Sequence, residues 1–300
     1  MSFIENSCDV TLKKIPLGGL YCGNKKVVNF FIGTMDVEFS KSTTLAQISD
    51  YIKAGKLMFF PIHDDIQDAD KDTQYAANTF QEDIFVGGGI KGWNLMWNQG
   101  VCFQNVISKL YNLKGYGVGL VMEDGTIIVK RKKNGAYGLY QATFLEKLYR
   151  VQTGGDMAGS GLGIQLKYIA TNSWQRESAN IESTEIDFRE VTLTTGLKIE
   201  FAQVVAGTND QVVVSIKQAC HNSNVEITGA NKFGAYMSGV LSPVTSYTYD
   251  PVTKLYTLTL VTDYASGDSL QIITMDALGN TTIQVGTAYY YGESEIITVD

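Results

Sequence analysis

The chain has 300 residues, of which 44% are hydrophobic and 18% charged, and its formal net charge is −7. This composition excludes a disordered chain, and the length suits two domains rather than one small core. The acidic balance also excludes a grip on nucleic acid by the protein as a whole, because affinity for the duplex comes mostly from Lys and Arg on phosphates.

In chain order, "MSFIENSCDV" places Glu5 and Asp9 where a signal peptide needs a basic and then an apolar run. No segment approaches the roughly 20 apolar residues that span a bilayer, so a chain made in the cytoplasm and not inserted in a membrane is expected. Residues 27–40, "VVNFFIGTMDVEFS", predict a strand pair broken at Gly33. "STTLAQISDYIKAG" predicts a helix capped by Ser42 or Thr43, with Leu45, Ile48 and Ile52 on one face and Gly55 at its end. "KLMFFPI" is an apolar strand ended by Pro61.

Residues 63–79, "HDDIQDADKDTQYAANT", are the most polar stretch and read as a solvated acidic loop between strands. Strand returns in "QEDIFVGGGIKGWNLMWNQG", where Gly87 to Gly89 and Gly92 mark bends or close backbone approaches. "CFQNVISKLYNLKG" predicts a second helix with Phe103, Val106, Ile107 and Leu110 along one side. "GYGVGLVME" and "TIIVKRKK" form a hairpin through Glu123-Asp124-Gly125, and Asn134-Gly135 marks a second turn. "ATFLEKLYRV" fits either a helix or a strand. "TGGDMAGSG" is a loop, and "GIQLKYIA" alternates like a half-buried strand.

The last third changes texture. Short alternating segments recur from about residue 205: "DQVVVSIKQ", "NVEITG", "TSYTYD", "KLYTLTLV", "DSLQIITMD" and "TTIQVGTAYY", divided by turn signals. They predict an all-β sandwich of immunoglobulin-like type with Val213, Ile216, Tyr256, Leu258, Leu260, Ile272 and Ile283 in its core. The expected fold class is therefore mainly β. A domain with one or two packing helices covers residues 1–203, and the sandwich covers 204–300. Residues 201–300 hold three basic and nine acidic residues, so most of the negative charge lies there.

No catalytic signature emerges. Asp68, Asp70 and Asp72 have the 1-3-5 spacing of a calcium loop, with His63, Asp64 and Asp65 just upstream. The turn glycine and the bidentate Glu of such a loop are replaced by Thr73 and Thr79, so no metal is expected. "VGGGIKGW" lacks the spacing and the following helix of a phosphate loop. His63 and His221 are the only histidines available as general bases, and no nucleophile stands in a recognisable context. Cys8, Cys22, Cys102 and Cys220 form no CxxC pair; they read as small hydrophobes of a reducing compartment, without a structural disulfide. Three consecutive cations, Arg131, Lys132 and Lys133, split across both faces of a strand end. They suit a polar hairpin end that guards an edge or meets an acidic neighbour, and the acidic last third makes a second copy of the chain a candidate for that neighbour. The 30 Gly and 17 Tyr fit tight turns and broad subunit contacts.

The order of features resembles that of tail tube proteins of tailed bacteriophages, notably those infecting Bacteroidetes. The carrying segments are "LGGLYC" (17–22), "GWNLMWNQG" (92–100), "CFQNVISKLYNL", the "GVGLVMEDGTIIVK" hairpin, the Gly154-Gly155 loop before "GIQLKYIA", and an appended immunoglobulin-like domain. The resemblance implies a virion protein without catalytic residues or cofactors, whose copies close into hexameric rings. The rings stack through a long hairpin and a mobile loop into a tube that conducts DNA without holding it, beside other tail and neck proteins. The outer domain decorates the surface. Residues 63–79 and 152–162 are the candidate inter-ring contacts, and Asp64, Asp65, Asp68, Asp70, Asp72, Arg131, Lys132, Lys133, Gly154 and Gly155 the candidate interface residues. A neck ring or connector, a capsid or decoration protein, or a glycan-binding adhesin are the alternatives.

Overall fold

The structure, a computed structural model, describes residues 3–5, 26–40, 42–72, 74–77, 83–87, 89–150, 159–167, 177–183, 186–191, 193–204, 209–229 and 231–299. It is mainly β, as expected. The chain divides into two compact units, Met1–Ile48 with Leu57–Val191, and Ser49–Lys56 with Thr192–Asp300.

In chain order up to residue 191 the strands are β1 (Phe3–Glu5), β2 (Val27–Thr34), β3 (Glu38–Phe39), β4 (Leu57–Phe59), β5 (Asp65–Asp68), β6 (Gln74–Ala77), β7 (Asp83–Gly87), β8 (Gly92–Trp97), β9 (Tyr116–Met122), β10 (Ile127–Arg131), β11 (Tyr137–Gly138), β12 (Tyr140–Glu146), β13 (Ser160–Leu166) and β14 (Ser178–Ser183). Helix α1 (Leu45–Lys53) precedes β4, and α2 (Val101–Ser108) follows β8. β9 is the hub. One of its edges pairs with β2 from Val27↔Met122 to Thr34↔Tyr116. The other edge is shared: Val121 and Leu120 pair with β10, while Val118 and Gly117 pair with β12. The sheet therefore forks. One branch runs β10-β14-β1, and the other β12-β13-β8-β5.

Period-2 alternation explains the core of the second branch. Phe30 and Ile32, Val118 and Leu120, Tyr140, Ala142 and Phe144, Leu162, Ile164 and Leu166, and Trp93, Leu95 and Trp97 all turn to one side, where Ile107 of α2 joins them. "ATFLEKLYRV" is thus resolved as strand over Tyr140–Glu146, since Tyr140, Ala142 and Phe144 bury at period 2 while Leu145 and Leu148 are exposed. On the opposite face of β2, Phe31 lies directly across from Gly119, and a Cβ on Gly119 would sit 2.2 Å from Phe31 Cζ. β2 also runs unbroken through Gly33, where the sequence predicted an interruption.

The helices form where expected, with changed details. Thr44, not Ser42 or Thr43, caps α1: its Oγ1 accepts from Gln47 N (3.4 Å), and Gln47 Oε1 accepts from Thr44 N (3.0 Å), a reciprocal capping box. Ile48 and Ile52 are buried, but Leu45 is exposed. On α2, Ile107 is buried, while Val106 is exposed and Gln104 takes a place in the core.

The second unit contains β15 (Thr194–Val204), β16 (Asn209–Gln218), β17 (Phe233–Met237), β18 (Val240–Asp250), β19 (Leu255–Tyr264), β20 (Ser269–Thr274), β21 (Thr282–Val285), β22 (Ala288–Ser294) and β23 (Ile297–Thr298). The unit begins at Thr192 rather than at residue 204, because β15 pairs along β16 and, in parallel, along β22. The order β15-β16-β19-β18 followed by β17-β20-β22 matches the ABED and CFG sheets of an immunoglobulin constant-type domain. Here the two sheets are joined. β18 pairs with β17 over Val240–Pro243 and with β19 from Val244 onward, and β22 bonds both β15 and β20, so the seven strands close into a ring.

Six of the seven predicted core residues are buried: Ile216, Tyr256, Leu258, Leu260, Ile272 and Ile283. Val213 is not. Val212, Val214 and Ile216 share the inner face of β16, which Val213 and Ile216 cannot both do at period 2. "NVEITG" forms no strand, only a bridge at Asn224. Instead, the Tyr256 hydroxyl accepts from Ile227 N (2.7 Å) and donates to Val225 O (2.9 Å), and the Tyr247 hydroxyl donates to Ile227 O (3.2 Å). Burial pushes the Tyr256 pKa up to about 12, so this staple stays protonated at neutral pH.

The Gly119→Ala variant is expected to lose about 2 kcal/mol or more of stability in urea unfolding, because the Phe31 ring has no room to retreat. Tyr256→Phe is expected to cost about 1–3 kcal/mol by leaving the Ile227 N–H unpaired in the core. Unchanged unfolding midpoints would contradict these assignments.

Candidate assembly surfaces

The acidic stretch is part of a ribbon, and the reading of it as a loop is corrected. β5 pairs antiparallel with β8 from Asp65↔Met96 to Asp68↔Trp93. Lys71 and Ile90 exchange backbone bonds of 2.8 and 2.9 Å. Beyond them β6 and β7 pair from Gln74↔Gly87 to Ala77↔Asp83 as a separate two-stranded sheet. Alternating charged and apolar residues suit an exposed strand at the sheet edge as well as they suit a loop, which is why composition misled here.

The carboxylates hold this ribbon together. Asp70 accepts from Lys91 Nζ (2.7 Å) and from Gly92 N (3.0 Å), and Asp68 lies 3.3 Å from the same ammonium. Lys91 Nζ also stands 5.3 Å from the centroid of the buried Trp93 ring. Asp64 accepts from Asn98 N (2.5 Å), and Asp65 accepts from Gln67 Nε2 (2.8 Å). Asp72 is exposed. Asp68 and Asp70 thus serve a lysine across the ribbon, and among the described residues no group of three His, Cys, Asp or Glu side chains could hold a metal ion. Gly92 is a close approach, as expected: a Cβ there would lie 3.0 Å from Ile164 O and 3.1 Å from Ala69 O.

The basic block occupies a hairpin end between β10 and β11. Gly135 has φ +81°, and Lys132 N donates to Ala136 O (2.8 Å). Lys132 finds an acidic neighbour within its own chain, Glu38 at 2.7 Å, and Lys130 pairs with Glu177 at 3.0 Å. Arg131 and Lys133 are exposed. The preceding β9–β10 turn, with Gly125 at φ +82°, is held by Arg189, whose Nη1 donates to Glu123 O (2.7 Å). The same guanidinium bonds Asp187 and holds that carboxyl below its usual range.

Gly154 and Gly155 lie outside the described residues. Of the predicted loop "TGGDMAGSG", the described part is paired: Gly159 bridges Arg150, and Ser160 and Gly161 belong to β13. Sequence reading missed Gln104. Its Oε1 accepts from Gly161 N (2.8 Å) and its Nε2 donates to Lys147 O (3.0 Å), tying α2 to β13. The only signal was a polar residue three positions before Ile107 on a helix face otherwise read as apolar.

His63 sits at the root of the ribbon with its ring against Trp97, Phe30 and Phe60. Neither ring nitrogen reaches solvent or makes a hydrogen bond of good geometry. Burial lowers its pKa from 6.5 to about 4, while the nearby Val28 backbone and the Asp64 carboxylate act the other way. A proton acceptor so enclosed is poorly placed to serve a substrate in solvent. The cysteine expectation is also corrected: Cys102 and Cys220 are both disulfide-bonded, a state that suits an oxidising environment rather than a reducing one.

No protein-family model matches the chain, and no curated protein or solved structure matches it. No helix among the described residues is long and apolar enough to cross a membrane.

Asp70→Ala is expected to weaken the ribbon by about 1 kcal/mol, seen as roughly fivefold faster amide exchange in β5 and β8. Asp72→Ala should leave exchange there unchanged; equal effects would remove Asp70 from this role.

Proposed function

We propose that the chain is a structural subunit whose copies close into stacked hexameric rings, forming the tube of a bacteriophage tail through which DNA passes. The observation that carries the reading is the ribbon that prolongs β5 and β8 into β6 and β7. A lone two-stranded hairpin is marginally stable in water, so such an extension gains its stability by packing against something else. A second copy of the chain is the occupant proposed, with other tail and neck proteins at the ends of the stack. The sheet also ends at β5, leaving one edge of that strand without a partner among the described strands. A net charge of −7 suits a lumen that lets DNA slide, since the chain carries no excess of positive charge to hold phosphates. The chain acts in this reading without a cofactor and without membrane insertion, as part of a virion.

A binding module is the second reading. The observation favouring it is a groove of about 480 Å³ in the second unit, where Tyr247 and Tyr249 stand with Glu226, Asn231 and Lys232. Aromatic faces beside polar groups are the surfaces that adhesins offer to ligands such as glycans.

Negative-stain microscopy of the purified chain separates the readings. Hollow cylinders or uniform six-fold rings are expected for a tube protein. A single ring that never stacks would indicate a connector, and a monomer that binds glycan arrays would replace the proposal with the adhesin. The double variant Arg131→Glu, Lys133→Glu is expected to lower assembly at least tenfold in sedimentation, with the fold retained by circular dichroism. Assembly equal to that of the unaltered chain would remove the basic turn from the interface.

A further inference from the structure

We propose that His63 is an acid-operated latch at the root of the β5–β8 ribbon, holding the ribbon closed while the imidazole is neutral and loosening it when the ring takes up a proton. The inference concerns the single chain and stands whether or not copies build a tube.

The geometry is that of an aromatic box. The imidazole centroid lies 4.7 Å from the Trp97 ring at 33°, 5.5 Å from Phe30 at 74° and 6.3 Å from Phe60 at 66°. Both nitrogens are sealed from solvent and without a hydrogen bond of good geometry, although the Val28 backbone lies close enough to favour the protonated ring. A neutral ring needs to satisfy one donor and one acceptor there; an imidazolium needs to satisfy two donors and a charge. The elements around the ring supply little for that. β2 presents Phe30 and the Val28 backbone, the segment before Pro61 presents Phe60, and β8 presents Trp97. Among the described residues, the one charged group that acts on His63 is Asp64, which is exposed and already accepts from Asn98 N. Cation–π attraction to Trp97 offsets only part of the desolvation.

A protonated ring is therefore driven toward water, and the chain around it is tied to the ribbon. Trp97 Nε1 donates to Pro61 O (3.0 Å), Asp64 N donates to Met96 O (3.0 Å), and Asp64 accepts from Asn98 N. These bonds flank His63 on both sides and join it to the end of β8. Withdrawal of the ring strains all of them at the point where β5 begins.

The direction of the pH effect follows from linkage. The enclosed ring binds its proton near pH 4 and the released ring near 6.5, so the open form holds more protons between those values. The ribbon is fully latched above pH 6.5, and the latch weakens as pH falls toward 4. The opening constant then rises by a factor approaching tenfold per pH unit, and by about sevenfold from pH 5.5 to 4.5.

Hydrogen exchange measured at pH 7.5, 5.5 and 4.5, and corrected for the intrinsic pH dependence of exchange, tests this. Peptides covering Pro61–Asp68 and Gly92–Asn98 are expected to lose protection by about sevenfold between the last two conditions, while peptides from β16 and β19 do not. His63→Phe, which fills the box and cannot be protonated, should abolish the loss. In the unaltered protein, the ring carbon signals of His63 in nuclear magnetic resonance should show no titration above pH 5. A ribbon whose protection does not change with pH, a His63→Phe ribbon that loosens as the unaltered one does, or a His63 that titrates near 6.5 would each overturn the proposal.

Discussion

The first unit depends on the way β9 spends its two edges. One edge is consumed by β2 along its whole length, and the other is divided between β10 and β12. That arrangement needs a strand whose faces admit bulky neighbours, and "YGVGLVM" supplies it: Gly119 leaves the space that the Phe31 ring fills from across the pair. Because β9 is saturated, growth of the sheet is pushed outward along each branch. The second branch ends at β5, so the polar, charged sequence falls where a sheet edge meets solvent. Packing at the hub thus decides where an assembly surface can be.

Charged side chains in this unit serve mostly to fix backbone geometry. Lys91 draws Asp68 and Asp70 together across the ribbon, Lys132 reaches Glu38, and Arg189 grips the Glu123 carbonyl. Exposed pairs of this kind contribute little net stability, typically about 0–1 kcal/mol, so their effect is on register and turn placement. Two of the carboxylates that suggest a cation site when read one after another, Asp68 and Asp70, are occupied by a cation of the chain itself, Lys91.

In the second unit, one long strand does the work of two. β18 leaves β17 at Pro243 and joins β19 at Val244, which welds the two sheets of an immunoglobulin-like order into a closed ring. Closure removes most free edges. Tyrosine hydroxyls then replace strand pairing where the chain crosses the ring, as Tyr256 does for Val225 and Ile227. Part of the tyrosine abundance is therefore structural. The burial of Tyr256 and Tyr264 uses side chains that composition alone would assign to subunit contacts.

What the sequence determined by itself was local and periodic. Alternation placed the strands that bury Ile164 and Leu258, and the glycine turns at 125 and 135 adopt the positive φ expected of them, whereas the strand that buries Phe144 fitted a helix equally well. The all-β character of the last third was also legible, because each short strand carries its own two-residue repeat, but the closure of its sheets into a ring was not. What only the tertiary structure decided were the partners. The face of β16 that turns inward, the placing of Gln104 inside and Val106 outside, the conversion of an acidic run into a ribbon, and the enclosure of His63 all depend on residues distant in the chain. Periodicity reports the spacing of apolar groups along one segment, but burial is a property of two surfaces in contact. A lone Asp or His carries no mark of which lysine or aromatic ring the fold will bring beside it.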